Sequence, residues 1–182
     1  MTPGECIANY IQGKDLNRPH LFQSVFADDA QLVMVVKSGA ISFPPLVHGL
    51  QDIADVLARR FGQTFENVYT FCLTAPPASD VADFSCPWMV GMSGKVDREV
   101  RVGCGRYDWI FTCGPSPRVA RLTITIEEMV VLPQGELLPV MAWLSSLPST
   151  WCDTTLAFSN APRIQALDPI FNYCTQLTRS NA

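Results

Sequence analysis

The chain has 182 residues, of which 48% are hydrophobic and 16% charged, a composition that suits one packed domain and excludes a largely disordered chain. The formal net charge is −4, from 13 Lys and Arg against 17 Asp and Glu. We therefore expect no nucleic-acid partner and no membrane partner, since no apolar run approaches the ~18 residues of a membrane span.

The first part of the chain predicts helices. Its start lacks the basic and apolar segments of a secretory signal. Thr2 and Glu5 form a capping box that begins a first helix, and a second, short helix is expected within residues 17–29. Residues 30–36 have the character of a buried strand, and residues 50–60 have the apolar spacing of an amphipathic helix.

After Gly62 the apolar spacing changes from 3.6 to 2, which predicts a run of strands. These strands are expected near residues 65–73, 84–93, 99–113 and 118–132. Helices followed by consecutive strands favour the α+β class with an antiparallel sheet. We therefore predict one domain over residues 1–133 and, over residues 134–182, a C-terminal extension whose many aromatic residues pack on the same domain.

The two longest strands predict a hairpin with one apolar and one polar face. A turn centred on residues 114–117 places Trp109 opposite Leu122 and Tyr107 opposite Ile124. These side chains share the apolar face, which we expect to pack on the helices. A slip of one residue in this register would exchange the two faces.

Glu128 is the first candidate for chemistry. The same register places it on the apolar face, opposite Gly103. A carboxylate that faces an apolar concavity can act as general acid or base; the alternative is a solvated residue at the rim of the strand. Gly103 and Gly105 lie in mid-strand, where they would permit a bulge or a sharp bend. Such a bend would leave space for a ligand near the carboxylate.

The other candidates are one histidine and four aromatic side chains. His48 precedes Gly49 at a predicted helix start, where an imidazole can act as base or donor; the alternative is a loop histidine with a backbone partner. The aromatic residues would line a ligand pocket, with plain core packing as the alternative for each. They are Tyr10, Trp88, Tyr107 and Trp109.

The cysteines indicate a reducing compartment. All seven are scattered along the chain and none forms a C-x-x-C pair. This arrangement predicts buried thiols, no zinc knuckle and a cytoplasmic location.

The order of elements resembles that of a known superfamily. A helix, a short helix, the motif FADDA at residues 26–30, a strand, a helix led by Gly49 and antiparallel strands resemble the NTF2-like superfamily, in particular its SnoaL-like branch of polyketide cyclases and ketosteroid isomerase-like proteins. The resemblance covers about residues 3–132. It implies a cone, in which a curved antiparallel sheet wraps around N-terminal helices and encloses a pocket, and often a homodimer formed through the sheet.

Residue by residue, the resemblance argues against steroid isomerisation. The positions of the isomerase's proton-shuttling Asp and oxyanion-binding Tyr are Met34 and Ile7 here. The Asp-Arg-Asp set of limonene epoxide hydrolase has a partial counterpart in Arg106, Asp108 and Glu127. These three residues lie on the polar face of the predicted hairpin, where they could instead form a dimer contact or be solvated.

The sequence supports two functional hypotheses. In the first, the cone binds a small apolar molecule, with acid–base lyase, isomerase or hydrolase chemistry at Glu128 and His48 and with no metal or organic cofactor. This hypothesis requires a cavity that reaches one of those two residues. In the second, the protein is a noncatalytic, dimeric ligand-binding or scaffold module.

Overall fold

The computed structural model describes the backbone of residues 1–180 and the side chains of residues 1–176. In this range the α-helices are α1 (Pro3–Asp15), α2 (Phe22–Val25), α3 (Leu50–Ala54), α4 (Phe61–Thr64), α5 (Leu137–Ser145), α6 (Thr154–Ser159) and α7 (Asp168–Ser180). A π-helical segment, Asp55–Arg60, joins α3 to α4. The strands are β1 (Phe26–Val36), β2 (Leu46–His48), β3 (Phe65–Cys72), β4 (Asp83–Gly94), β5 (Val100–Phe111) and β6 (Val119–Leu132).

Helix α1 begins at the predicted capping box. The Thr2 hydroxyl accepts a hydrogen bond from the Glu5 backbone N–H, and the Glu5 carboxylate accepts one from the Thr2 backbone N–H. Because residues three and four apart share one face of a helix, the buried side of α1 carries Ile7, Tyr10 and Lys14 together. This face directs one phenol and one ammonium group toward the interior.

The strands form one curved, unclosed sheet in the order β2-β1-β6-β5-β4-β3 within residues 1–180. This arrangement confirms the predicted α+β class, with the sheet wrapped around the N-terminal helices. Neighbouring strands are antiparallel with one exception, because β1 and β6 run parallel. The helical connection between β1 and the other strands permits this parallel pair.

The concave face of the sheet packs on the N-terminal helices. Tyr10 and Phe22 from the helices meet Phe26, Leu122 and Trp109 from the strands in this core, and all five are fully buried or nearly so. This first core is the interior of the cone.

A second core covers part of the outer face of the sheet. Met89 and Val102 contact the C-terminal helices through Trp143 and Leu144, and the Trp143 indole N–H donates to the Ala157 carbonyl over 2.7 Å. The residues after Pro133 therefore pack on the sheet that encloses the first core. The boundary between residues 133 and 134 stays a prediction.

Two local differences from the expected elements have physical reasons. The second helix, expected within residues 17–29, ends at Val25, and the exposed Asp28 and Asp29 already lie in β1, within the irregular pairing between Phe26 and Gln31. Gly62 does not end the helix that contains it, which runs on to residue 64. A Cβ at Gly62 would lie 2.7 Å from Cγ of Asn17, so the glycine permits close packing rather than a helix end.

The predicted β5–β6 register is confirmed from Gly105 to Ile110 and wrong on either side, because a second irregularity between Ile110 and Phe111 places Phe111 opposite Val119. Trp109 lies opposite Leu122, and Tyr107 opposite Ile124, as predicted. A bulge then follows between Cys104 and Gly105. One extra residue on β6 shifts every later pair by one position.

No helix within residues 1–180 is both long enough and apolar enough to cross a membrane. The seven cysteines form no disulfide within the described residues, and Cys113 is the exposed one among them.

Candidate functional site

A cavity of about 40 Å³ lies inside the cone. Its wall is mostly aliphatic and aromatic, and the polar groups within it belong to Tyr10, Lys14, Trp88 and Tyr107. A space of this size holds one or a few water molecules, whereas pockets for drug-sized ligands measure roughly 300–1,000 Å³. A larger ligand therefore requires wall side chains to move.

An aromatic cluster forms one side of the cavity. The ring of Tyr10 meets Trp109 edge-on at 5.1 Å between centroids and Tyr107 at 5.9 Å. Trp88 stacks on Tyr107 at 5.3 Å. Three of the four predicted ligand-binding residues, Tyr10, Trp88 and Tyr107, line the cavity, and Trp109 lies directly behind them.

Two polar atoms of this cluster have no hydrogen-bond partner among the described residues. They are the indole nitrogens Nε1 of Trp88 and Trp109, both buried. The buried Tyr10 hydroxyl lies beside the Tyr107 hydroxyl and forms no hydrogen bond of good geometry with the protein. Folded proteins pair the large majority of their buried polar atoms, with protein groups or ordered water. Burial raises the pKa of Tyr10 and of Tyr107, so both phenols stay protonated at neutral pH and can donate hydrogen bonds.

Lys14 brings a positive charge to the cavity. Its ammonium forms an ion pair with Asp15 and donates to the Thr70 hydroxyl over 2.9 Å. The Asp15 carboxylate also accepts from the backbone N–H of Thr70, at 2.8 Å. Nζ lies 4.9 Å from the centroid of the Phe61 ring. The side chains of Lys14 and Asp15 are only 7% and 9% exposed, so this network fixes a charged donor at the wall of an apolar space.

Lys14 is a site residue that was not predicted from the sequence. The signal was present, because Lys14 lies four positions after Tyr10 and three after Ile11, on the apolar stripe of α1. A lysine in the last turn of a helix also interacts favourably with the helix dipole. This common role explains a lysine at residue 14 without requiring its side chain to be buried.

Glu128 does not face the cone. The bulge places it opposite Cys104 instead of Gly103, which moves its side chain to the outer face, where it is exposed. Met129 takes the position that faces the cavity. The predicted placement of Glu128 on the apolar face is therefore wrong.

His48 also lies away from the cavity. It is exposed at the end of β2, opposite Gln31, and borders a surface cleft with Asp28 and Asp52. The requirement that the cavity reach Glu128 or His48 is not met. A catalytic role for either residue stays a prediction that the geometry does not support.

The polar residues of the predicted hairpin lie on the outer face of the sheet. Arg106 pairs with Asp108 at 3.1 Å, and Glu127 pairs with Lys37 at 2.7 Å. These groups do not reach the cavity. The part of the chain that the structure describes contains no cluster of three His, Cys, Asp or Glu side chains suited to a metal ion.

Tyr10→Phe is expected to change the free energy of unfolding by no more than about 1 kcal/mol, because the hydroxyl it removes lies beside the Tyr107 hydroxyl and forms no hydrogen bond of good geometry. Thr70→Val is the comparison, since it removes a buried hydroxyl that bonds Lys14 and Asp15, and it is expected to cost about 1–3 kcal/mol. Urea unfolding followed by circular dichroism measures both changes. An equal loss in the two variants would show that the Tyr10 hydroxyl is held in the folded protein.

Comparison with known proteins finds similarity in structure. No family model matches the sequence, and no curated protein matches it either. An NTF2-like superfamily protein from Salmonella enterica serovar Typhimurium is 19% identical over 65% of this chain and 84% of its own, with a TM-score of 0.53. LinA is 8% identical over 68% of this chain and 82% of its own, with a TM-score of 0.54.

A third similar structure covers more of the chain. It is a protein with a ketosteroid isomerase-like fold from Catenulispora acidiphila, solved in complex with trimethylamine. It is 17% identical over 81% of this chain and 96% of its own, with a TM-score of 0.51. At these identities the likeness shows the fold alone, and the fold is NTF2-like, as the FADDA motif and the order of elements predicted.

Proposed function

We propose that this chain, which has the NTF2-like fold, binds a small and largely apolar molecule inside its cone. The observation that carries the proposal is the pair of buried, unpartnered indole donors on Trp88 and Trp109, with the Tyr10 hydroxyl near them, beside an apolar cavity. An apolar pocket with a few fixed polar groups is the usual composition of a small-molecule site. A ligand with one hydrogen-bond acceptor would satisfy a donor that the protein leaves free.

Entry of such a ligand requires the cavity to enlarge. Ile41 and Phe43 form part of its wall and belong to residues 37–45, which have no helix or strand. Residues without regular hydrogen bonding move at lower cost than the strands do. We therefore place the entrance at this segment.

Binding without acid–base catalysis is the form of the proposal that the cavity favours. Within the described residues its wall includes no Asp, Glu or His side chain. The ionisable groups there are two protonated phenols and the ammonium of Lys14, which already pairs with Asp15. These groups can orient a ligand, and no free base stands beside them.

Homodimerisation through the sheet and a cytoplasmic location remain part of the proposal. The C-terminal helices cover the outer face around Met89 and Val102. Two copies would therefore pair through the part that carries Val35 and Ile110, which are 40% and 45% exposed. Free thiols are in keeping with a reducing compartment.

Filling the cavity is expected to weaken the binding of an apolar probe. The probe is N-phenylnaphthylamine, whose fluorescence rises in apolar surroundings. Val90→Phe places a ring in the cavity and is expected to weaken probe binding at least about tenfold. Fluorescence titration measures the dissociation constant.

The control is the same substitution on β6 beyond the cavity wall. Val131 lies on β6, is 39% exposed and does not line the cavity. Val131→Phe is expected to bind the probe as the unchanged protein does. Equal binding by all three proteins, or no binding by any, would refute the proposed function.

A further inference from the structure

A second space adjoins the cone cavity. It is a surface cleft of about 530 Å³, bordered by residues 40–44, the end of the π-helical segment with α4, and the β4–β5 turn. The cleft and the cavity share three wall residues, Ile41, Phe43 and Phe61. A molecule that entered the cone past these side chains would have its other end in this outer cleft.

The outer cleft has one cation that no carboxylate neutralises. Three of its lining residues are cationic, Arg60, Lys95 and Arg101. Arg60 pairs with Asp55 at 2.7 Å, and Arg101 pairs with Asp97 and Glu99. Among the described residues Lys95 has no carboxylate at ion-pair distance, so its positive charge is available to an anion that enters the cleft.

The partners of these cations leave two of them with donors available to a ligand. The ammonium of Lys95 donates to the Gly62 backbone carbonyl, which leaves two of its three N–H bonds for an acceptor. The guanidinium of Arg101 is held by Asp97 and lies over the Phe65 ring at 5.5 Å, but its buried Nε has no partner among the described residues.

Apolar and cationic groups alternate around the same cleft. The rings of Phe61 and Phe65 contact each other at a tilt of 46°, with 5.0 Å between centroids, and Val56 lines the same cleft. A purely ionic ligand would leave these surfaces unused, and a purely apolar one would desolvate the cations without compensation. A ligand with an apolar body and one anionic group fits both.

We propose that the outer cleft binds the anionic end of an elongated amphipathic ligand, a small aromatic or aliphatic sulfonate or carboxylate, whose apolar end enters the cone between Phe43 and Phe61. The inference rests on the proposed function and names its ligand class. Lys95 contributes the principal contact to the anion. Arg101 holds the cleft wall through Asp97 and donates its free Nε.

Two probes that differ by one charge test this inference. Anilinonaphthalene sulfonate carries the ring system of N-phenylnaphthylamine plus one sulfonate. The unchanged protein is expected to bind the sulfonate more tightly than the neutral probe. In Lys95→Met the dissociation constant of the sulfonate is expected to rise about fivefold, with that of the neutral probe unchanged.

Lys37→Met is the matched control. Lys37 is also an exposed lysine, but it lies at the end of β1 and pairs with Glu127. Lys37→Met changes the net charge of the chain by the same amount, but at a position outside the cleft. It is therefore expected to leave the dissociation constants of both probes unchanged. Calorimetric titration checks that one probe binds per chain, and circular dichroism checks that the variants remain folded.

The outcomes separate the two proposals. Equal loss of sulfonate binding in Lys95→Met and Lys37→Met, or no loss in either, overturns the cleft while neutral-probe binding still supports the cone. Sulfonate binding that depends on Lys95 without neutral-probe binding supports the cleft and counts against the cone. Absence of binding by both probes overturns both.

Discussion

Lys14→Met is expected to lower the free energy of unfolding by about 3 kcal/mol. The substitution removes a cation that is 7% exposed and leaves the Asp15 carboxylate, 9% exposed, without its counter-ion. Breaking a buried ion pair from one side costs roughly 3–5 kcal/mol, since the remaining charge stays away from water. Asp15 keeps two hydrogen bonds from Thr70, which places the expected cost at the lower end of that range.

Urea unfolding at neutral pH measures this loss, and two further variants identify its cause. Lys14→Met combined with Asp15→Asn removes both charges and is expected to recover part of the stability, because an amide is cheaper to bury than a carboxylate. Lys37→Met breaks an exposed pair and is expected to cost no more than about 1 kcal/mol. If Lys14→Met costs as little as Lys37→Met, the network at the cavity is not a buried ion pair in solution.

The ammonium of Lys14 is also relevant to the proposed function. Lys14 is the cationic residue in the wall of the cone cavity, within the described residues. A ligand acceptor that reached it would meet an ammonium already oriented by Asp15 and Thr70 and would require little reorganisation. The cone cavity and the outer cleft thus each have a positively charged side chain beside aromatic rings. Phe61 lines both spaces and lies between them.

Local patterns were sufficient to predict the elements that enclose the site. The Thr2–Glu5 capping box identified the start of α1, and the apolar stripe after it identified the buried face that carries Tyr10. Alternation on the two long strands placed Tyr107 and Trp109 on the cone side in the correct register. Such patterns are periodic, so a few residues determine the orientation of the whole element.

Other features depended on contacts between distant parts of the chain. Strand β2 is three residues long, too short for a period to be visible, and it exists because Leu46 and His48 pair with β1. Lys14 is buried because Thr70, 56 residues later, supplies an acceptor. The interior volume depends on how all wall side chains pack, and a list of apolar positions does not determine it.

The error over Glu128 arose from one inserted residue. Gly103 and Gly105 predict a bulge or a bend, and a bulge is present between Cys104 and Gly105. The extra residue of this bulge lies on the facing strand, β6, and the predicted register does not include it. Because side chains alternate with a period of two, Glu127 as an extra residue reverses the direction of Glu128. A carboxylate expected in the cavity therefore lies on the opposite face.

Gly105→Ala is expected to destabilise the protein by about 3 kcal/mol, the upper part of the usual range for overpacking. A Cβ at residue 105 would lie 1.9 Å from the Thr125 carbonyl oxygen and 3.0 Å from Cζ2 of Trp88. The first contact is with backbone of the neighbouring strand, which cannot rotate away, so the β5–β6 ladder has to shift. Trp88 pairs with Gly105 across β4 and β5 and lines the cavity, so its fluorescence is expected to change as well.

Gly135→Ala is the control for the loss of glycine itself. A Cβ at residue 135 has no heavy atom within 4 Å, so this variant is expected to stay within about 0.5 kcal/mol of the unchanged protein. Urea unfolding measures both variants. Equal stability of the two variants would mean that the backbone of β6 lies farther from residue 105 in solution than the 1.9 Å between the added Cβ and the Thr125 carbonyl oxygen implies. The expected loss would show that the bulge, which turns Glu128 outward and Met129 inward, depends on the absence of a side chain at one position.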